Sequence, residues 1–215
     1  MSYRNVIFDL DGTLLNTLDD LSASVNHALG SQGLPLCSAA HVRATLGNGI
    51  RRLIEGCVPA TCPPEQIEAV FSAFRHHYLE HSLDRTAPYD GIMELLQELH
   101  ERGIGMALVS NKVDAAVQEL HQRFFARYIE VAIGEGPETP PKPNPQGVWR
   151  AMEKLNADAT TTLYIGDSEV DHATARAAGT NSCLVLWGFR DEAELRQLHA
   201  EHYLKTPQDF LSLLD

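Results

Sequence analysis

Two aspartates directly after a short apolar run are the residues of this sequence best suited to chemistry. Asp9 and Asp11 follow Val6–Phe8, and at this spacing both carboxylates point to the same side of the chain. They repel each other unless one is protonated or a cation lies between them, and carboxylate oxygens suit Mg²⁺, which also neutralises phosphate. Gly12 permits a sharp turn with exposed N–H groups, and Thr13 adds a hydroxyl donor. The pattern predicts a cation and phosphate site; the alternative is an Asp-rich turn that caps a helix.

Two further clusters carry groups that can bind an anion. Ser110 and Asn111 follow the apolar run Met106–Val109, where N–H groups at the start of a helix and polar side chains can donate to phosphate oxygens. Serine at such a position can equally be a simple helix N-cap. Lys142 stands between two prolines, which hold its backbone extended, so its ammonium can neutralise a carboxylate and a phosphate together. The alternative for Lys142 is a solvated loop lysine.

A fourth cluster supplies more acids after the run Leu163–Ile165. Asp167 and Asp171 are four residues apart and can share one face of the first turn of a helix. Asp167 would complete the cation site, and Asp171 would orient the ligands or the lysine. Acids at this position could also act only by favouring the start of the helix.

The elements that must position these residues alternate between short apolar runs and segments of helical period. Such alternation predicts a doubly wound, parallel α/β sheet with a Rossmann-like arrangement, in which ligands bind at the carboxyl ends of the strands. The runs interpreted as strands are 6–8, 106–109, 129–133, 163–165 and 183–186.

An unusually long interval indicates a second domain. Asp9 and Ser110 are separated by about 100 residues, whereas a strand–helix–strand unit needs only about 30. We predict a core domain of residues 1–15 and 84–215 and a small all-helical cap domain of residues 16–83, placed to act as a lid. The helical stripe that opens the cap consists of Leu18, Leu21, Val25 and Leu29.

The composition is that of an ordinary globular chain and limits the function classes. Of the 215 residues, 44% are hydrophobic and 21% charged, which excludes wholesale disorder and a disulfide-dense scaffold. The formal net charge of −12 argues against nucleic-acid or anionic-membrane binding. No apolar run approaches the roughly 20 residues of a membrane span, and the first residues do not resemble a signal peptide. We expect a cytoplasmic protein with no nucleic-acid or membrane partner.

Cysteine and histidine residues outside these clusters are given structural roles. The cysteines show no CxxC pair and no zinc-ligand spacing along the chain, so we expect reduced thiols; a disulfide between Cys57 and Cys62 is the alternative. His77 and His81, beside Glu80, are interpreted as a solvated helix face rather than a zinc pair. The four cysteines are Cys37, Cys57, Cys62 and Cys183.

In their order and spacing, the four clusters resemble the haloacid dehalogenase-like hydrolase superfamily, and the resemblance extends essentially from end to end. Within that superfamily the chain looks like the phosphoglycolate phosphatase group, which has a helical cap after the first strand. The stretches that carry the resemblance are 9–21 (DLDGTLLNTLDDL), 46–49, 87–92, 110–112, 174–179 and 187–190.

The resemblance implies roles for the core residues. Asp9 would be the nucleophile that forms an aspartyl-phosphate, and Asp11 the general acid and then the general base. Mg²⁺ would be held by Asp9, the Asp11 backbone carbonyl and Asp167, with Asp171 in support. The phosphoryl group would be bound by Thr13, Ser110, Asn111 and Lys142.

The resemblance also implies roles in the cap. The loop that includes Asn48 and Gly49 would face the site, and Arg43 or Arg51 would bind a carboxylate of the substrate. The implied function is a Mg²⁺-dependent phosphatase of a small phosphorylated metabolite, with 2-phosphoglycolate the leading candidate and a monomer or homodimer as the assembly. Alternatives are a phosphosugar mutase similar to beta-phosphoglucomutase, a pyrophosphatase, and a non-catalytic binding protein. A dehalogenase is disfavoured because Asp11 and the cation site would have no role.

Overall fold

The computed structural model describes residues 3–47 and 49–214, which form two compact units. A core unit comprises Met1–Leu14 and Pro88–Asp215, and a helical unit comprises Leu15–Ala87. The bounds 16–83 expected for the cap lie inside the helical unit. No helix among the described residues is long and apolar enough to cross a membrane.

The strands and helices alternate along the core unit. The strands, in chain order, are β1 (Asn5–Phe8), β2 (Leu15–Asn16), β3 (Ala87–Pro88), β4 (Gly105–Val113), β5 (Val131–Glu135), β6 (Thr162–Gly166), β7 (Asn181–Val185) and β8 (His202–Leu204). The α-helices are α1 (Leu18–Ser31), α2 (Ala39–Thr45), α3 (Gly49–Cys57), α4 (Pro64–His81), α5 (Ile92–Glu101), α6 (Asp114–Leu120), α7 (Gln146–Leu155), α8 (Glu169–Ala178) and α9 (Glu192–Arg196).

Six strands form one parallel sheet in the order β5-β4-β1-β6-β7-β8. Its central strands are buried on both faces, which explains why they are continuous apolar runs in the sequence. Phe8 pairs with Leu108 of β4 and with Ile165 of β6. This register places the carboxyl ends of three neighbouring strands at the same edge of the sheet. The predicted α/β fold with a parallel sheet is confirmed.

Two local predictions were wrong. The strand predicted from Ile129 begins at Val131, because Ile129 N–H still donates to Phe125 O at the end of a π-helical turn, His121–Phe125. The acid-rich sequence of 191–201 predicts an exposed helix, but this segment is helical only in α9, and the chain then adds β8 to the sheet. The sequence also predicts helical stretches near 41–57, and the structure places α2 and α3 there, separated at Gly47, which adopts a φ of 108°.

The helical unit consists of α1 to α4 and includes β2 of a short sheet formed with β3. Its core contains fully buried Val25 and Phe74, from α1 and α4. The buried Asp20 carboxylate accepts hydrogen bonds from Arg85 N (3.0 Å) and Thr86 N (2.8 Å). These bonds join the first turn of the unit to the segment that leaves it.

Candidate active site

Lys142 lies at the centre of the polar cluster at the carboxyl edge of the sheet. Its Nζ donates to Asp9 Oδ1 (2.6 Å), Asp171 Oδ1 (2.7 Å) and the Tyr164 hydroxyl (3.1 Å). Burial disfavours the ammonium, but Asp171 and Asp9 outweigh that effect and hold the pKa of Lys142 well above its usual value. The raised pKa favours the charged form of the lysine, which is held against the aspartate that follows β1.

Asp171 is held in place by the start of α8. Its Oδ2 accepts hydrogen bonds from Ser168 Oγ (2.6 Å), Ser168 N (3.1 Å) and Asp167 N (3.2 Å). Ser168 in turn accepts a hydrogen bond from Asp171 N, which completes a capping box. The backbone of Gly166 passes so close that a Cβ there would overlap the Asp171 side chain. One carboxylate thus caps the helix and orients the lysine.

Three carboxylates lie close enough together to hold a metal ion. Asp9, Asp167 and Asp171 each offer an oxygen within 4.8 Å of the others. Burial raises the pKa of Asp9 to about 7, against the lowering effect of Lys142 and with the charges of Asp171 and Asp11 adding to the rise. Burial also raises the pKa of Asp167 well above its usual range, helped by Asp171 and Asp9. A divalent cation would relieve this repulsion.

The oxygens of Asp9 and Asp167 are not all engaged by protein donors. Asp9 Oδ1 accepts from Lys142, and Asp167 Oδ2 accepts from Phe189 N at 2.6 Å. Within residues 3–47 and 49–214, no group donates to the second oxygen of either aspartate. Hard oxygen donors of this kind suit a divalent cation such as Mg²⁺, so the donor set fits the predicted metal.

The carboxylate cluster of Asp9, Asp167 and Asp171 requires glycine at position 12. Gly12 adopts a φ of 89°, and a Cβ at this position would overlap the Asp167 carboxylate. The turn after β1 therefore brings Asp11 and Thr13 to the edge of the sheet while leaving room for Asp167.

Asp11 has a partner that the sequence did not reveal. Lys112 Nζ lies 3.0 Å and 3.2 Å from its two carboxylate oxygens. The Lys112 side chain is only 5% exposed, whereas that of Asp11 is 24% exposed. Lys112 and Ser110 are two residues apart on β4, so their side chains lie on the same side of the strand. This spacing is the sequence signal that could have identified the lysine.

The expected phosphate ligands are brought to the same edge in different ways. Ser110 is 5% exposed, and its Oγ accepts from Lys112 N at 3.1 Å. Thr13 Oγ1 is buried and has no hydrogen-bond partner among the described residues, which is unusual unless a ligand supplies one. The Asn111 side chain instead contacts the lysine loop: Lys142 N donates to its Oδ1 (2.6 Å), and its Nδ2 donates to Lys142 O (3.2 Å). Asn111 thereby fixes the backbone that carries Lys142.

The residues expected to bind substrate in the cap belong to the helical unit. Gly49 is the first residue of α3, and Asn48 lies outside the described residues. Arg51 forms a bidentate ion pair with Glu68 and stacks over the Phe71 ring at 4.4 Å. The guanidinium of Arg51 is therefore already engaged by a carboxylate of the same unit.

Sequence comparison identifies the class of protein. The model of the haloacid dehalogenase-like hydrolase family matches residues 6–185. The chain is 30% identical over 213 residues to a phosphoglycolate phosphatase of Aquifex aeolicus, covering 99% of this chain and 97% of the relative. It is 29% identical over 217 residues to an N-acetylmuramic acid 6-phosphate phosphatase of Pseudomonas aeruginosa, covering 100% and 96%.

Structural comparison agrees. A crystal structure from Lactobacillus delbrueckii subsp. bulgaricus superposes with a TM-score of 0.94 at 27% identity, covering 100% of this chain and 99% of that one. The chain therefore belongs to the haloacid dehalogenase-like hydrolase family. Within it, the chain is a phosphoric monoester hydrolase similar to phosphoglycolate phosphatases. The resemblance found in the sequence is confirmed.

Proposed function

We propose that the protein hydrolyses a small phosphomonoester through an aspartyl-phosphate on Asp9, with Mg²⁺ as the metal and 2-phosphoglycolate as the leading substrate. The buried contact of Lys142 Nζ with Asp9 and Asp171 carries the proposal, because it fixes a positive charge beside a carboxylate nucleophile. The names of the relatives support the substrate class.

The chemistry divides into two steps. An Asp9 oxygen forms a bond to phosphorus while the bond from phosphorus to the ester oxygen breaks, and Asp11 gives its proton to the leaving alkoxide. A water oxygen then attacks phosphorus, Asp11 takes a proton from that water, and the bond between Asp9 and phosphorus breaks to release phosphate. Lys142, Ser110 and Thr13 surround the place where charge develops on the phosphoryl oxygens.

Asp9 and Asp167 would hold a divalent ion through their carboxylate oxygens, and Asp11 would add its backbone carbonyl, as the resemblance to the family implies. When bound, the ion neutralises negative charge on the phosphoryl group and on the acids. Asp171 has both carboxylate oxygens hydrogen-bonded to protein donors, so its role is to orient Lys142 and the start of α8.

A panel of phosphate esters with Mg²⁺ present tests the proposed function. The panel contains 2-phosphoglycolate, N-acetylmuramic acid 6-phosphate, pyrophosphate and sugar 1-phosphates, and the readouts are released phosphate and isomerised sugar phosphate. We expect phosphate release with the highest kcat/KM for 2-phosphoglycolate. Isomer formation without phosphate release would replace the proposal by the mutase alternative, and a higher kcat/KM for another ester would change the substrate. Asp9→Asn protein from the same purification controls for a contaminating phosphatase.

Removal of divalent metal is expected to abolish activity reversibly and to make stability depend on pH. Burial raises the pKa of Asp9 from 3.8 to about 7, so its contribution to folding is present at low pH and is lost as pH rises through about 7. Millimolar Mg²⁺ offsets this loss and should raise the unfolding midpoint by about 5 °C near pH 8, and by less at pH 5. Thermal unfolding at both pH values, with and without Mg²⁺, measures the effect. A Mg²⁺ shift that is equal at both pH values, or that persists in Asp167→Asn, would contradict this assignment.

Replacement of Lys112 by methionine is expected to lower kcat about 100-fold with little change in KM, because Lys112 holds the Asp11 carboxylate through two contacts. If Lys112 positions the proton donor, the loss in kcat/KM, which covers only the steps up to release of the alcohol, should be much smaller for p-nitrophenyl phosphate, whose leaving group departs without a proton. Measurement of kcat and KM for the aryl and alkyl esters separates this role from a structural one. Equal losses in kcat/KM for both esters would show that Lys112 does not position Asp11 as the proton donor, and Lys112→Arg should recover part of the activity.

A further inference from the structure

A second group of metal-ligating side chains lies within the helical unit and is not used by the phosphatase site. Cys37, His41 and Cys57 each offer one ligand atom, and these atoms all lie within 4.8 Å of one another. We propose that these three residues form a binding site for a zinc-class transition metal ion. The site rests on contacts inside the helical unit and is independent of the proposed phosphatase function.

The ligand atoms of this group favour a different metal from the Mg²⁺ proposed for the catalytic site. Two sulfurs and an imidazole nitrogen suit borderline and soft ions such as Zn²⁺, whereas Mg²⁺ prefers oxygen ligands. Zinc lies about 2.3 Å from sulfur and about 2.0 Å from nitrogen, so tetrahedral ligands are roughly 3.3 to 3.8 Å apart. The ligand atoms, which lie within 4.8 Å of one another, would move closer together to reach that geometry.

Two packed helices and an asparagine hold the ligands near each other. Cys37 precedes α2, His41 lies in its first turn, and Cys57 is the last residue of α3. The Asn26 amide fixes the Cys37 backbone, with Cys37 N donating to Oδ1 at 2.8 Å and Nδ2 donating to Cys37 O at 3.0 Å. At Gly56, a Cβ would overlap the Thr45 side chain, so glycine allows the two helices to approach closely.

Polar contacts join the ligand residues to one another and to their neighbours. Cys37 Sγ donates to Cys57 O at 3.3 Å, His41 Nε2 donates to Gly56 O at 2.8 Å, and Thr45 Oγ1 lies 3.7 Å from Cys57 Sγ. Cys57 is buried, Cys37 is half-buried and His41 is exposed. An ion can therefore enter from the solvent side, where water would fill the fourth coordination position.

The zinc-class site has a pH signature. Zinc-class ions bind the thiolate form of cysteine, so metal binding displaces the thiol protons into solution. Affinity should rise with pH between 6 and 8, and binding should acidify a weakly buffered solution.

The test uses Co²⁺ as a spectroscopic probe of the full-length, reduced, metal-free protein in the presence of excess Mg²⁺, which occupies oxygen sites. We expect one equivalent of Co²⁺ to produce a thiolate-to-cobalt charge-transfer band in the near ultraviolet, and Zn²⁺ to displace it. Cys37→Ser and His41→Ala should each weaken Co²⁺ binding by about 100-fold. Cys62→Ser, at a partly exposed cysteine of the same unit outside the proposed site, is the matched control and should keep the band.

Absence of the band in the wild-type protein, or an unchanged band in Cys37→Ser, would overturn the proposal. Cys37 and His41 are substituted because they are less buried than Cys57, so their replacement disturbs the packing least. Circular dichroism verifies that both variants fold. A second readout is thermal unfolding, in which Zn²⁺ should raise the midpoint of the wild type and the control but not of Cys37→Ser. The Asp9→Asn variant, which we expect to be inactive as a phosphatase, should bind Co²⁺ as the wild type does, which separates this site from the proposed catalytic one.

Discussion

Replacement of Asp9 by asparagine is expected to lower kcat for every phosphate ester by at least about 10⁴-fold while leaving the fold intact. The amide has the size of the carboxylate but is a far poorer nucleophile, and Asp9 lies on the turn after β1 rather than within the sheet. Rapid acid quenching of the wild type with ³²P-labelled substrate should yield a protein-bound label that hydroxylamine releases. The label should map to the peptide that contains Asp9.

The control for Asp9→Asn is Asp158→Asn, which makes the same chemical change at an exposed position. It should keep wild-type kcat and KM. Both variants should unfold within a few degrees of the wild type. An Asp9→Asn protein that retained most of its turnover, or a label at another residue, would remove Asp9 from the role of nucleophile.

Replacement of Lys142 by methionine is expected to reduce both activity and stability. The ammonium is the shared donor to Asp9 and Asp171, so its removal leaves buried carboxylates without their positive partner. We expect kcat to fall on the order of 10³-fold, and the free energy of unfolding to fall by about 3–5 kcal/mol. Steady-state kinetics and urea unfolding of the metal-free protein measure the two effects.

The stability loss in Lys142→Met should depend on pH in a defined direction. Lys142 lowers the pKa of Asp9, so without it Asp9 becomes harder to ionise and the folded state binds its proton more tightly. The penalty should therefore be larger at pH 8 than at pH 5, where the carboxyl group is protonated. Lys154→Met, at an exposed position in the last turn of α7, should change neither stability nor kcat. A penalty that grew as pH fell would contradict the proposed electrostatic role.

The arrangement of the core site follows from strand ends, and for that reason it could be predicted from the sequence. Asp9 and Asp167 come directly after strands β1 and β6, and parallel pairing in register aligns the ends of those strands. Lys142 was predicted from its flanking prolines. The parallel sheet then brings together residues that are far apart in the chain, because ligand groups after parallel strands share one edge.

The unpredicted contacts depend on side-chain geometry rather than on spacing. Lys112 reaches Asp11 only because it points to the Ser110 side of β4, and the Asn111 amide contacts the Lys142 backbone. Strand β8 has three residues, too few for its alternation to be recognised. The Cys37–His41–Cys57 group shows no zinc pattern along the chain, because the packing of α2 on α3 brings Cys57 to the other two residues.

Asp171 has two structural roles, and together they tie the assembly of the core site to the order in which the chain is synthesised. The same carboxylate that caps α8 accepts a hydrogen bond from the ammonium of Lys142, so the start of the helix and the position of the charge beside Asp9 depend on one side chain. During synthesis, Asp9 and Lys142 emerge well before this acid, and the ribosome-bound chain cannot assemble the trio until roughly two thirds of the core unit has been made. A truncated or stalled product should therefore be inert toward phosphate esters rather than partly active.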